Sequence, residues 1–339
     1  MTWETAKGIA DFLMSLPVNE DEVIFDFIGG EPLLEIDLIS RICDYLIELM
    51  KKKNHIWLKN YTFRFTTNGL IYSSDKVQEF IKRHYEHLSV QMSIDGTKKK
   101  HDLNRVFADG KGSYDYVFPN VQLWLRQFGE KAVSFMVISH EDLCYLSESV
   151  IHLMNIGVRD IVVSTVVEDV WEVGDESIYE RELMKIADHM IDMKLWQMVK
   201  VSSFRNDLGQ PEKDEHIYPC GNPMYVFDAK GMIYTCVRFV GYSLRSKSPR
   251  IIGNINTGID FNKIRPLLSF DRDSCSPDKC LDCEIASGCR WCPAENYDSS
   301  SVGSVFQRTT TVCALHHANV RVNNYFWNKI NYIEQHERL

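Results

Sequence analysis

Eight of the ten cysteines lie beyond residue 219, and their spacing suits thiolate ligation of a metal or an iron–sulfur cluster. Cys220 is followed by ten residues, Gly231, four residues and Cys236. Then come Cys275, the pair Cys280-x-x-Cys283, Cys289, Cys292 and, about twenty residues on, Cys313. Thiolates spaced this way bring four sulfurs around one centre, and a Cys-x-x-Cys pair does so for zinc as well as for iron. Spacing alone therefore leaves a zinc ribbon and an iron–sulfur module both open. No basic segment followed by an apolar run and a cleavage site opens the chain, so a reducing cytoplasm is the expected setting and metal ligation is favoured over disulfides.

Composition narrows the partners. The 339 residues are 45% apolar and 25% charged, which is ordinary for a globular protein with room for a large core and a smaller domain. A net charge of −9 argues against a nucleic-acid binder, which needs a basic stripe. The run Lys98-Lys99-Lys100 reads as a solvated loop. No apolar run is long enough to span a bilayer, so no membrane partner is expected.

The elements that must position this chemistry alternate along the first part of the chain. Helical periodicity covers 2–16, 33–53, 74–85, 113–128 and 143–155; strand-like runs cover 22–28, 61–66, 88–94, 132–138 and 159–167. Strand–helix repeats of about thirty residues predict βαβ units and a parallel sheet. A further helix over 176–199 follows. From about residue 211 the rhythm gives way to a stretch rich in Cys, Gly, Pro, Asn and Ser, with two short strands flanking 228–231 and a closing helix over 314–336. We therefore expect one domain over 1–210 and a metal-stapled one over 211–339.

In a parallel α/β sheet, ligands bind at the C-terminal ends of the strands. Three such ends carry polar or glycine-rich loops: Gly29-Gly30-Glu31-Pro32, Thr66-Thr67-Asn68-Gly69, and Ser93-Ile94-Asp95-Gly96 with Arg105 downstream. Two glycines let backbone approach a ligand, a carboxylate suits an ammonium group, and an arginine suits a carboxylate. Each loop also reads as an ordinary turn. Their recurrence at successive strand ends is what points to a site.

These residues resemble those of radical S-adenosylmethionine (SAM) enzymes that carry a C-terminal SPASM domain. Gly29, Gly30, Glu31 and Pro32 match the GGEP motif, Ser93-x-Asp95-Gly96 matches an SxDG strand end, and the cysteine series resembles the SPASM pattern. The resemblance covers nearly the whole chain. It implies a partial (β/α) barrel lacking its first strand, an α/β fold, followed by a Cys-rich iron–sulfur domain. It implies that Glu31 and the carbonyls near Gly29 and Gly30 hold the SAM amino group, that Ser93 and Asp95 face its ribose or methionyl end, and that Arg105 pairs with a carboxylate. It implies one auxiliary [4Fe–4S] cluster on Cys280, Cys283, Cys289 and Cys313, and a second on Cys220, Cys236 and Cys292. Cys275 or His216 is a candidate fourth ligand for the second. The Cys289-x-x-Cys292 spacing is one residue shorter than the family's.

The resemblance further implies a maturase acting on a precursor peptide or protein, with a reductant such as flavodoxin or ferredoxin. A thioether or C–C cross-link in a ribosomally made peptide is the expected product, and oxidation of Cys or Ser in a sulfatase is the sibling reading. One family feature is missing. The Cys-x3-Cys-x2-Cys run that holds the catalytic cluster is not in this sequence, whose first cysteine is Cys43, read as a buried helix residue. We expect truncation to explain this, a degenerate peptide-binding relative being the alternative, and the chain as given is expected not to form that cluster. Cys144 is read as structural.

Overall fold

The structure is a computed structural model and describes residues 1–17, 19–168, 170–206, 208, 224–269, 272–286, 288–289 and 291–336. It divides into two compact units: Met1–Asp21 with Arg41–Leu58 and Gly209–Thr311, and Glu22–Ser40 with Lys59–Leu208 and Val312–Leu339.

The second unit is built on six parallel strands in sequential order: β1 (Val23–Phe27), β2 (Tyr61–Thr67), β3 (Leu88–Ser93), β4 (Val133–Ile138), β5 (Asp160–Thr165) and β6 (Lys200–Val201). Helices separate them, and strand order that never reverses is the winding of a (β/α) barrel segment. Along the chain the helices are α1 (Trp3–Leu13), α2 (Ile36–Lys53), α3 (Asp75–His84), α4 (Lys98–Asn104), α5 (Tyr114–Phe128), α6 (Leu146–Asn155) and α7 (Asp175–Asp192), of which α1 and residues 41–53 of α2 fall in the first unit.

The two faces of this sheet differ because strand side chains alternate. On one face Phe63, Phe65, Val90, Met92, Met136 and Ile138 are fully buried. The α5 residue Trp124 is buried there too, and its indole N–H donates to the Val90 carbonyl (3.0 Å). On the other face the β2 and β3 residues are half-buried and polar: Arg64 pairs with Asp26 (2.7 Å), and the Thr66 hydroxyl donates to Gln91 (2.9 Å).

Two sequence expectations are corrected here. The helix expected over 176–199 stops at Asp192, because Lys194 adopts a left-handed φ of +52° that no helix continues through. The chain then forms β6, too short to register as a pattern. The lysine run is not a loop: it opens α4, capped by Thr97. Lys98 pairs with Asp115, Lys99 lies over the Tyr145 ring at 4.4 Å, and Lys100 is fully buried against Asp142 (3.1 Å) and the Val137 carbonyl (2.6 Å). A buried ammonium needs this pairing, and both partners lie about 40 residues away in sequence.

The first unit contains a four-stranded antiparallel sheet, β7 (Val226–Phe227), β8 (Met232–Tyr234), β9 (Gly253–Asn254) and β10 (Gly258–Ile259), in the order β10-β9-β8-β7. It also holds α8 (Phe261–Leu268), α9 (Arg272–Cys275), α10 (Asp278–Leu281) and α11 (Pro293–Ser299). Among the described residues from 224 to 311 the cores are small. One gathers Ile233, Ile252 and Ile264; the other gathers Tyr234, Phe239, Leu267, Cys292 and Val305. The last helix, α12 (Cys313–His336), belongs to the second unit and packs on α7. There Arg321 grips Glu180 (3.0 and 2.5 Å) and the Tyr325 hydroxyl donates to Asp188 (2.7 Å).

Candidate functional site

At the end of β1, Gly29 and Gly30 take φ of +100° and +53°, which a side chain would strain. Both are exposed, and the space where a Gly30 side chain would stand is empty to 4 Å. Pro32 then starts a short 3-10 turn, Pro32–Glu35, with Glu31 as its cap. One Glu31 oxygen accepts from the Leu33 N–H (3.0 Å) and the Thr67 hydroxyl (2.7 Å); the other accepts from the Asn68 N–H (2.7 Å). Glu31 thus ties the end of β1 to the end of β2. A carboxylate offers about four acceptor sites; three are filled, and one remains for an ammonium group. The open glycine backbone beside this half-buried carboxylate offers acceptors suited to an ammonium group.

The third strand end is arranged differently. Asp95 is only 3% exposed. Its carboxylate accepts from Arg105 Nε (2.5 Å) and Nη2 (3.2 Å) and from the Val137 N–H of β4 (3.0 Å). The carboxylate that Arg105 meets is therefore Asp95, and Asp95 is turned into the protein because a buried charge must be paired. Its place is to hold the ends of β3 and β4 and to aim Arg105. Ser93 is half-buried, and its hydroxyl has no hydrogen-bond partner among the described residues, so it is free to meet a ligand. Gly96 follows at φ +100°, with Ser149 of α6 so near that a side-chain carbon would stand 2.1 Å from its Cβ.

Behind Asp95 a buried histidine completes the support. His101 Nδ1 accepts from the Asp95 N–H (3.3 Å), and its Nε2 faces the Ser113 hydroxyl (3.0 Å), which donates to the Arg105 carbonyl (2.8 Å). Burial depresses the His101 pKa to about 4, so the ring is neutral with its proton on Nε2. Sequence reading did not single out His140, just past β4. Its Nδ1 lies 2.9 Å from both Asp175 oxygens, and the Asp175 carboxylate raises its pKa. Its partner lies 35 residues on, so only the tertiary fold reveals the pair.

The cysteines are brought together in part. Every described cysteine is a free thiol. Cys236 packs against the core that holds Cys292. Burial, then the nearby Glu295 and Cys236, pushes the Cys292 thiol up to about 11, so a bound metal would be needed to keep it a thiolate. Cys275, Cys280, Cys283 and Cys289 are half-buried in α9, α10 and the turns after them. Cys283 and Cys289 bracket a chain of turns in which Ala286 N–H donates to the Cys283 carbonyl and Cys289 N–H to the Ala286 carbonyl (both 3.1 Å). Cys313 opens α12 in the second unit. Cys220 and His216 lie outside the described residues. Among the described residues no three Cys, His, Asp or Glu side chains converge tightly enough to hold a metal ion. The donors suit a cluster by type. Cys43 is fully buried, and burial raises its thiol pKa, whereas Cys144 is exposed, not part of the core. Among the described residues no helix is long and apolar enough to cross a membrane.

Comparison with known proteins follows this geometry. No protein-family model matches the chain. An uncharacterized protein of Methanocaldococcus jannaschii is 26% identical over 269 residues, covering 78% of this chain and 82% of the relative. A cysteine-type anaerobic sulfatase-maturating enzyme of Clostridium novyi is 31% identical over 108 residues, 32% of this chain and 27% of that enzyme. Among solved structures, native anSMEcpe with bound AdoMet and a Cp18Cys peptide matches at TM-score 0.73 and 18% identity, over 99% of this chain and 91% of that one. Streptococcus suis SuiB bound to S-adenosylmethionine matches at TM-score 0.57 and 15% identity, over 92% of this chain and 70% of that one. SuiB has also been solved bound to its precursor peptide SuiA. These neighbours are enzymes of the radical SAM/SPASM type, and the six-stranded parallel sheet of this chain has the radical SAM fold.

Proposed function

We propose that this protein is a radical SAM maturase that modifies a side chain of a peptide or protein. The observation that carries the reading is the Glu31 loop: an open glycine backbone and a carboxylate with one free acceptor site, set at a strand end of a radical SAM fold. In this reading Glu31 and the carbonyls near Gly29 and Gly30 hold the SAM amino group. Ser93 faces the ribose or methionyl end, and Asp95 aims Arg105 toward it. Cys280, Cys283, Cys289 and Cys313 would hold one auxiliary [4Fe–4S] cluster, and Cys220, Cys236 and Cys292 a second, with Cys275 as a candidate further ligand. When bound, such clusters exchange single electrons with a substrate or with a reductant such as flavodoxin or ferredoxin. Radical generation also needs a cluster on three further thiolates, and this sequence has no Cys-x3-Cys-x2-Cys run to supply them. The proposal for the residues at hand is SAM and peptide binding, with SAM cleavage wherever three such thiolates hold the catalytic cluster.

A thioether or C–C cross-link in a ribosomally made peptide is one product class. Sulfatase-maturase-like oxidation of Cys or Ser is the other. The match to anSMEcpe, more extensive than that to SuiB, supports the second. The test is anaerobic purification followed by metal analysis and calorimetric titration with SAM. About eight irons per chain and saturable SAM binding are expected. One or two zincs with no iron and no SAM binding would withdraw the enzyme reading.

A further inference from the structure

Arg308, in the first unit, is 92% buried, being only 8% exposed, yet no carboxylate pairs with it among the described residues. Its guanidinium lies 4.3 Å from the Trp291 ring centroid, and Nη1 reaches Ser276 Oγ at 3.5 Å. Those contacts answer little of a group with five donors and a full charge. Stacking on an indole offsets part of the desolvation; a buried cation ordinarily takes an anion as well. Arg308 lines a cavity of about 400 Å³, within the range of small-molecule sites. Ser276 and Gln307 line it too, with Pro277 and Phe306 as apolar walls. Gln307 already accepts from the Ser300 hydroxyl through Oε1 (3.1 Å), so its amide NH2 is what it offers a ligand. One full positive charge, an amide NH2, the hydroxyls of Ser274, Ser276 and Ser304, and apolar walls describe the complement of a carboxylate on a small apolar body.

We infer that this cavity is a carboxylate-binding site, taking the C-terminus or an acidic side chain of a short peptide on Arg308, with Ser276 and Gln307 as further donors. Planar bidentate recognition is what a guanidinium does best. Cys275, the candidate further cluster ligand named above, also lines the cavity. Carboxylate binding here needs neither SAM nor radical chemistry, and iron content measured beside peptide binding separates it from cluster ligation at Cys275.

The experiment uses the full-length, metal-loaded protein and three probes: acetyl-Ala-Ala-Phe as free acid, the same peptide as C-terminal amide, and acetyl-Ala-Glu-Phe amide. Calorimetry should show at least one acid-bearing peptide binding tenfold or more tighter than the neutral amide. Preference for the free acid would identify a chain terminus as the ligand, and preference for the Glu peptide an acidic side chain; either supports the site. Arg308→Gln should abolish the preference, and Arg308→Lys should restore part of it. Equal binding of all three probes, or none of any, overturns the proposal, and this comparison needs only the wild-type protein. A folded Arg308→Gln variant that keeps the preference overturns it as well. So does a variant whose only change is lost iron, because the guanidinium would then be the counter-charge of a cluster.

Discussion

Glu31 is a carboxylate with most of its bonding already spent inside the protein, and that is what makes it suited to bind. Three donors fix both oxygens before any ligand arrives, so little ordering is left to be done on binding. Glu31→Gln keeps the shape but puts an NH2 where one donor now points and removes the charge. SAM affinity should fall by roughly ten- to a hundredfold, the scale of a charged hydrogen bond. Calorimetry checks this, and unchanged affinity would remove Glu31 from the site. His101 makes the opposite kind of prediction. Its folded pKa, about 4, lies below the ordinary histidine value. Between about pH 6.5 and pH 4 the unfolded chain takes up a proton that the folded protein refuses. Stability is therefore complete above that window and declines as the pH falls through it, by ~3 kcal/mol from this residue. Urea unfolding at pH 7 and pH 4.5 measures the slope, which His101→Gln should flatten.

At the scale of elements, close approach between strand ends and helices does the positioning. Gly96 combines a positive φ with contact against Ser149 of α6. Gly96→Ala should destabilise by about 2–5 kcal/mol, from backbone strain plus overpacking, and chemical denaturation would show it. Most of this framework was legible in the sequence. Strands such as YTFRFTT alternate cleanly, and Asn-Gly and Asp-Gly mark where they end. Features that depend on distant partners were not legible. Lys100 read as solvated because its neighbours in sequence are lysines; its anion, Asp142, comes from the far side of a strand and a helix. Asp95 read as a ligand contact because it sits at a strand end, and only the fold shows Arg105 and Val137 meeting it. The Gly29-Gly30-Glu31-Pro32 loop was legible as a strand-end turn, but not its lock onto Thr67 and Asn68.

For the molecule as a whole, the two units rest on different means of support. The second unit has a continuous core of strands and helices. Among the described residues from 224 to 311, the first has two small clusters and short strands of two or three residues. If its cysteines take up clusters, as proposed, metal will supply stability there that apolar burial does not. Amide exchange with and without iron should then differ across 224–300 and change little across β2 to β5. Uniform protection in both states would argue against ligation by these cysteines.

The fully buried pair of Lys100 and Asp142 has one more implication. Replacing either partner alone strands a charge in the interior, at a cost of about 3–5 kcal/mol, whereas replacing both with apolar residues of similar size is often neutral. Lys100→Met and Asp142→Leu should each lower the unfolding midpoint, and the double variant should recover much of the loss. Mutational drift at these two positions is thus a path across a valley. Lineages that change one must soon change the other, and the two sites evolve as one character.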